Sequence, residues 1–350
     1  MAEPTAGASF TRVERFATVG STNDIVRSWL LDATPEVCLA VADEQTDGRG
    51  RHGRTWTAPS GGALLLSAGF RPTYLAPDRT WRLAATVALA MCDAAEDQAG
   101  FPQGSIRLKW PNDLVIEVSG PNALIVGDLR PGEAAALLAG PLEIRKLAGV
   151  LGETDGLGSD NPRAVVGIGI NTDWVRAEFP PDLAAGMTSL RDASAGRPID
   201  NLALLAGFME HLESRLDALR TGYFDIAAWT GRQVTTGRAV TLESSDGSAT
   251  GPLPALGVDG SSGALVLADD EVPRGEREVH AGEVVRVRLV PATEPAVGRL
   301  PEPASLAAAA ARLDAALPGQ ADPGPADPGP AAPAASAAPD ASGATSGDRV

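Results

Sequence analysis

Residues 48–56 read Gly48-Arg49-Gly50-Arg51-His52-Gly53-Arg54-Thr55-Trp56, glycines alternating with cations between two β-leaning runs at 37–43 and 63–70. Glycine frees the backbone for sharp turns and close approach, and three guanidiniums gathered in a small volume suit a pyrophosphate or another anionic group. A charged, solvated turn or an RNA contact would use the same residues, so the loop needs the rest of the chain to give it meaning.

Outward from the loop, further β-leaning runs lie at 106–110, 114–118, 146–153 and 164–170, bounded by Gly, Pro and Asn. Three segments carry a helical period instead. They are Ile25, Val26, Trp29 and Leu30 after Ser21-Thr22; Trp81, Ala85, Ala88, Cys92 and Ala95 after Pro77-Asp78; and Leu205, Phe208, Met209, Leu212, Leu216 and Leu219 after Asp200. Together these predict an α+β fold, a mixed β-sheet with packed helices. After Gly231 the text changes to four short strand-like pieces without a helix, at 234–243, 251–258, 264–268 and 279–290. A small β-barrel of about 60 residues fits them. The expected division is a domain over 1–225, interrupted by a surface insertion at 119–145, then the barrel over 230–290. Residues 291–350 are Ala-, Pro- and Gly-rich, repeat Ala-Asp-Pro-Gly-Pro at 321–325 and 326–330, and are expected to form a disordered tail.

Charge narrows the function classes. The 350 residues carry 29 basic and 45 acidic side chains, a net charge of −16, so no chain-wide attraction to nucleic acid or anionic lipid exists. No run approaches the ~18 apolar residues of a membrane span, and Met1-Ala2-Glu3-Pro4 lacks the start of a secretion signal, which predicts a cytoplasmic protein without membrane partners. Cys38 and Cys92 sit in apolar runs without metal spacing and read as small buried side chains.

Of the 29 basic residues two are lysines, Lys109 and Lys146, leaving 27 as arginine. An ammonium is a point charge and a guanidinium a planar fork, so a site that needs the first does not accept the second. Lys109 opens Lys109-Trp110-Pro111-Asn112-Asp113 at a strand end. Pro111 breaks the strand and leaves Asn112 and Asp113 in turn geometry, either as a simple Asx-turn or, with the lysine, as a site for Mg²⁺-nucleotide chemistry. Lys146 opens Lys146-Leu147-Ala148-Gly149-Val150-Leu151-Gly152-Glu153. Its ammonium needs an anion such as a ligand carboxylate, or an outlet to solvent. Finally, Val165-Val166-Gly167-Ile168-Gly169-Ile170-Asn171 is a glycine-thinned strand against whose backbone a ligand can lie, or an ordinary core strand with a terminal turn.

In this order, behind Gly20-Ser21-Thr22-Asn23-Asp24, the four motifs resemble those of the biotin protein ligase family over residues 16 to 219, with a weaker extension to about residue 290. The resemblance implies a biotin/lipoate ligase-like catalytic domain followed by a small SH3-like barrel. It implies formation of biotinyl-5′-AMP from biotin and MgATP, then transfer of biotin to a lysine on the biotin carboxyl carrier domain of an acyl-CoA or pyruvate carboxylase. By the same resemblance Ser21, Thr22, Asn23, Gln45, Arg49, Gly50, Arg51 and Lys146 hold biotin. Arg49, Arg51, Arg54, Trp56, Lys109, Asn112, Asp113 and Asn171 hold ATP and the adenylate. Lys146, Arg51 and Lys109 are the expected catalytic cations, and Asp113 the expected Mg²⁺ ligand. Some relatives carry an N-terminal helix-turn-helix of about 60 residues. Only about 20 residues precede Ser21 here, so no DNA-binding function is expected. Homodimerisation is compatible with the sequence and not fixed by it.

Three other readings use the same residues: a lipoate or other acyl ligase, a biotin-binding sensor without catalysis, and a nucleic-acid module resting on the 48–54 loop. His52, His211 and His280 form no evident triad, in keeping with chemistry that needs no covalent enzyme intermediate.

Overall fold

The computed structural model describes residues 10–125, 130–284 and 286–289. Among these, seven strands form the main sheet: β1 (Arg12–Val19), β2 (Cys38–Gln45), β3 (Ala63–Phe70), β4 (Ile106–Lys109), β5 (Asp113–Ser119), β6 (Glu143–Asp155) and β7 (Arg163–Asn171). Their spatial order is β1-β2-β3-β7-β6-β5-β4, with β1 and β2 parallel and the other neighbours antiparallel. The sheet is therefore mixed, as expected.

Alternation along these strands assigns their side chains to two faces. On one face Cys38, Ala40 and Val165 pack against Val26, Trp29 and Leu30 of helix α1 (Thr22–Leu31). On the other, Leu39, Val41, Leu64, Leu66, Val166, Ile168 and Ile170 join the main core with α2 (Trp81–Ala99). Between β5 and β6 lies α3 (Pro131–Ala139), inside the segment expected to be an insertion. A short α4 (Leu190–Ala193) precedes α5 (Asn201–Arg220), which packs along α2 with Leu205, Phe208, Leu212 and Leu216 buried in the same core. Asp200 caps α5 by accepting from the backbone N–H of Leu202 and Ala203. Gly100 ends α2 in the left-handed region at φ 70°.

α6 (Ile226–Gly231) leads to a second sheet. Its strands are β8 (Ala239–Glu243), β9 (Ala249–Val258), β10 (Leu265–Ala268), β11 (Glu276–Val279) and β12 (Arg286–Leu289), antiparallel in the order β11-β10-β9-β8-β12. Val240, Leu242, Leu265, Leu267 and Val287 belong to the main core cluster. Just after α6, Arg232 is buried and donates to Glu96 at 2.6 and 2.9 Å and to Asp93 at 2.8 Å, joining α6 to α2 by ion pairs as well as apolar contact.

The structure departs from expectation in several places. β1 adds a strand to the expected set: Arg12, Glu14 and Arg15 break any apolar alternation, and this half-exposed edge strand takes its order from pairing with β2. Pro77 and Asp78 form a single 3₁₀ turn rather than opening α2, which starts at Trp81. The last strand-like piece, 279–290, divides into the end of β11, a 3₁₀ turn at Ala281–Glu283 and β12, so five strands replace four. β11 and β12 are opposite edges, and among the described residues no pairing joins them to close a barrel. The expected tail, 291–350, lies outside the described residues.

Candidate active site

The α1 face of β7 presents Gly167, Gly169 and Asn171, and Gly149 of β6 is the cross-strand partner of Gly169. The glycines are required by what lies on them. A Cβ at Gly167 would stand 2.2 Å from Asn23 Oδ1, and one at Gly169 would stand 2.7 Å from the Cε2 and Nε1 atoms of Trp56. At Gly149 it would meet Trp56 Cζ3 at 3.2 Å and Lys146 Nζ at 3.3 Å. The glycine-thinned strand is thus a floor on which a carboxamide and an indole rest directly on backbone.

One end of the floor is lined by amides and hydroxyls. Ser21, Thr22 and Asn23 are buried at the start of α1. Gln45 Oε1 accepts from Thr22 N at 2.7 Å and lies 3.0 Å from Thr22 Oγ1, which is in turn 2.7 Å from Ser67 Oγ. Ser67 donates to Asn23 Oδ1 at 2.5 Å, and Asn23 Nδ2 donates to Glu153 Oε2 at 2.6 Å. Arg49 forms a two-point contact with Asp24, both at 2.7 Å, and that bonding holds the Asp24 carboxyl below the usual range against the opposing effect of burial. Ser67, Asp24 and Glu153 carry no role in the sequence reading. Signals for them exist: a lone hydroxyl in the otherwise apolar, fully buried β3, and carboxylates inside the motifs at 20–24 and 146–153.

The other end carries the cations. Lys109 and Asp113 are cross-strand partners in the β4–β5 hairpin. Lys146 Nζ lies 2.6 Å from Asp113 Oδ1 and 5.5 Å from the centre of the Trp56 ring. Burial pushes the Lys109 ammonium below its ordinary value, with Asp113 partly offsetting this. Asp113 is thus in direct contact with Lys146 and lies across the hairpin from Lys109. Asn112 lies in the turn between β4 and β5, as expected; its Nδ2 donates to Val150 O at 2.9 Å, and its own carbonyl accepts from Val150 N, so its side chain fastens the hairpin to β6.

The 48–56 loop is compact, with a bridge between Arg49 and Thr55, and Gly50 N donating to Arg54 O at 2.7 Å. Arg51 reaches the second sheet's approach, donating to the carbonyls of Ala281 and, at 3.0 Å, Val284. Burial lowers its guanidinium from the ordinary arginine value. His52 sits in the left-handed region at φ 56° and places Nε2 3.0 Å from the same Val284 carbonyl. Arg54 is exposed. Asn171 is fully buried, its Nδ2 donates to Thr188 O at 3.0 Å, and its Oδ1 has no partner. A cavity of about 430 Å³ opens beside the cations, lined by Arg51, Lys109 and Asp113 and walled by Trp81 and Trp110, a size suited to a small-molecule ligand.

Among the described residues no group of three or more His, Cys, Asp or Glu side chains could hold a metal, so Asp113 stands without a protein-built cage. Cys38 and Cys92 are free and buried, and burial pushes the Cys38 thiol up to about 11. No helix among the described residues is long and apolar enough to cross a membrane.

A row of amides and hydroxyls and a cationic end joined by a glycine floor suit a ligand with a neutral polar group at one end and an anionic group at the other. The model of the biotin/lipoate A/B protein ligase family matches residues 16–171, which carry all of these elements except the second sheet. A biotin–acetyl-CoA-carboxylase ligase of Mycobacterium tuberculosis H37Rv is 30% identical over 241 residues, covering 68% of this chain and 77% of its own. Its counterpart from Paracoccus denitrificans is 30% identical over 255 residues, covering 70% and 88%. The chain belongs to the biotin/lipoate A/B protein ligase family, among its biotin protein ligases. Aquifex aeolicus biotin protein ligase, solved in complex with biotin and ATP, has the same fold, with a TM-score of 0.59 and 23% identity over 80% of this chain and 100% of that one.

Proposed function

We propose that the protein activates biotin with MgATP and transfers it to a lysine of a carboxylase biotin carrier domain. The observation that carries this reading is the Lys146–Asp113 ion pair, with Lys109 across the hairpin, next to a glycine floor whose far end is a row of amides and hydroxyls. The amide end suits the ureido ring, which has N–H donors and a carbonyl acceptor. The cation end suits the carboxylate and phosphates. Names of the relatives in M. tuberculosis and P. denitrificans support a carboxylase as acceptor.

In the first step a biotin carboxylate oxygen attacks the α-phosphorus of ATP, the bond to the β-phosphate oxygen breaks, and pyrophosphate leaves. Two anions must meet, so Lys146 leaves Asp113 for the biotin carboxylate, while Arg51 and Lys109 offset charge on the phosphates. Asn171 Oδ1, buried without a partner, is available to accept from the nucleotide. Asp113 would contribute a carboxylate to a Mg²⁺ ion brought in with ATP, and that ion would neutralise charge on the phosphates. In the second step the acceptor's neutral amine attacks the carbonyl carbon of the mixed anhydride, AMP leaves, and an amide forms with loss of one proton.

The second sheet belongs in this reading to a small SH3-like barrel over 230–290, distinct from a catalytic domain over 1–225. Arg51 joins the two through Ala281 and Val284. ATP–pyrophosphate exchange with biotin, lipoate or no acid tests the assignment. Biotin-dependent exchange is expected; exchange with lipoate alone changes the substrate, and no exchange despite biotin binding removes the catalytic step.

A further inference from the structure

The cavity beside the cations does not end at them. Past the β4–β5 hairpin it runs to the face of the sheet opposite the glycine floor, where Ala84, Ala85 and Ala88 of α2 stand over Leu114, Val150 and Val166. Trp56, Lys146 and Asn171, the groups of the floor side, do not line it. Small residues keep this inner chamber open: the nearest contact of a Cβ at Gly152 would be Ala84 Cβ at 3.8 Å. A core packed to ordinary density forfeits dispersion contacts by leaving such space.

Three polar atoms of its wall residues have no partner. Gln233 and Trp229 line the cavity and are 4% and 6% exposed, and Gln233 Nε2, Gln233 Oε1 and Trp229 Nε1 are buried without a hydrogen bond. Contacts elsewhere set where these residues stand. The backbone on either side of Gln233 is tied to β4, Leu108 N donating to Arg232 O at 2.8 Å and Val234 N to Leu108 O at 2.9 Å. Trp229 packs on Trp81 with ring centres 5.8 Å apart. Trp110, in the same lining, has its indole N–H satisfied by Gly263 O at 3.0 Å, so unmet polarity is confined to the Gln233 and Trp229 end. A carboxamide buried with both of its ends empty destabilises the fold, and such violations gather where a ligand supplies the missing bonds.

We propose that this chamber is a second binding site, separate from the floor, for a flat neutral ring that carries an N–H beside a carbonyl, as a lactam or cyclic imide does. Gln233 meets that edge with one acceptor and one donor, and the Trp229 N–H offers a further donor. The alanines of α2, with Trp81 and Trp110, supply apolar walls of the kind that hold a planar ring. The α2, Trp229 and Gln233 part of the lining carries no charge, so a charged ligand would be desolvated there without compensation. Biotin and the nucleotide have their proposed partners on the other face of the sheet, in Thr22, Asn23 and Asn171, none of which lines the chamber.

The test titrates the full chain by calorimetry with quinazolin-4-one, whose ring N–H and carbonyl are adjacent, and with its N-methyl derivative, which keeps the ring and the carbonyl but lacks that hydrogen. The wild type is expected to bind the first about tenfold or more tightly than the second. Gln233→Leu removes both polar atoms and should bind the two within about twofold of each other. Gly152→Val puts a branched side chain into the chamber and should weaken both by about tenfold or more. Saturating biotin or adenosine should leave probe binding unchanged, and a crystal structure of the probe complex should show the ring between α2 and Gln233. Failure of the wild type to bind either probe would mean that the chamber holds water only and would overturn the proposal. Equal binding of the two probes, or discrimination that survives in Gln233→Leu, would overturn it as well. Displacement by biotin or adenosine would assign the chamber to the reactants and remove the second site. Should Gln233→Leu fail to fold by circular dichroism, undiminished probe binding in Gly152→Val overturns the proposal instead. Because the readout is binding and not ligation, failure here leaves the function reading untouched.

Discussion

Lys146 Nζ lies 2.6 Å from Asp113 Oδ1, so the ammonium that the proposed reaction gives to the biotin carboxylate is paired in this structure with a protein carboxylate. The pair is about one-third and one-fifth exposed, which makes exchange of one carboxylate for another easy compared with desolvating a lone charge. Asp113 thus keeps the cation in position without trapping it.

Lys146→Ala should lower biotin-dependent pyrophosphate exchange by about 10²-fold or more, the scale of removing one charged stabilising group. Lys146→Arg should recover only part of it, because a planar fork does not replace a point charge beside Trp56. Initial-rate exchange assays on both variants check this; a rate close to wild type for Lys146→Ala removes the residue from the site.

Lys109 titrates below the ordinary lysine value of 10.5 because it is buried. Activity that needs its charge should decline on the alkaline side earlier than for an ordinary lysine, and Lys109→Arg should move that limb upward. Stability has the opposite sign. The unfolded chain holds this proton more tightly, so the Lys109 contribution is greatest above 10.5 and is lost as pH falls through the depressed value. pH–rate profiles and urea melts across the alkaline range read the two effects separately.

Gly169→Ala places a methyl 2.7 Å from the Trp56 indole and should destabilise the fold by about 1–3 kcal/mol. In a Trp56→Ala background the same substitution should cost less than about 0.5 kcal/mol, because the clash has gone. Denaturant unfolding of the four proteins in the cycle gives the coupling directly, and additive effects would place the indole elsewhere.

Arg51→Gly removes the bonds to Ala281 and Val284 and, in the proposed reaction, one cation acting on the phosphates. The adenylate should escape and label lysines on bystander proteins, while biotin plus MgATP should protect the wild-type loop from trypsin at Arg49, Arg51 and Arg54. Mass spectrometry of a mixed-protein reaction reads the first effect; labelling confined to the carrier domain would contradict it.

Arg232→Met should cost about 3 kcal/mol, because it leaves the buried Glu96 carboxylate with backbone N–H partners from Gly104 and Ile106 but without its cation, while Asp93 keeps Arg215. Activity per folded molecule should persist, since the Arg232 side chain bonds Glu96, Asp93 and the Ile106 carbonyl and none of the candidate site residues. A fall in melting temperature with a normal exchange rate is the expected pair of results.

Much of the site is legible in the chain because its chemistry is carried by residue types that are rare or awkward where they stand. Two lysines in an arginine chain, a turn-breaking Pro111 before Asn112 and Asp113, and glycines thinning β7 are each visible in one dimension. Apolar runs at 63–70 and 164–170 fix β3 and β7 through burial, and Asp200 marks the start of α5 by its capping chemistry. β1 escapes such a reading because an edge strand with charged side chains has no apolar signature, and its order comes from the partner it pairs with.

Layer class, family motifs and the identity of the important cations are thus written locally, because burial and special backbone geometry leave marks on neighbouring residues. What those residues touch is not. That Lys146 rests on Asp113, that Asn112 fastens a hairpin, that Arg51 reaches Ala281 and Val284, and that Asn23 donates to Glu153 are facts of contacts spanning 33 to 233 positions. Such contacts follow from strand register and from which face each side chain takes, and a hydrogen bond's direction depends on every partner in its row. Only the folded chain brings those partners together.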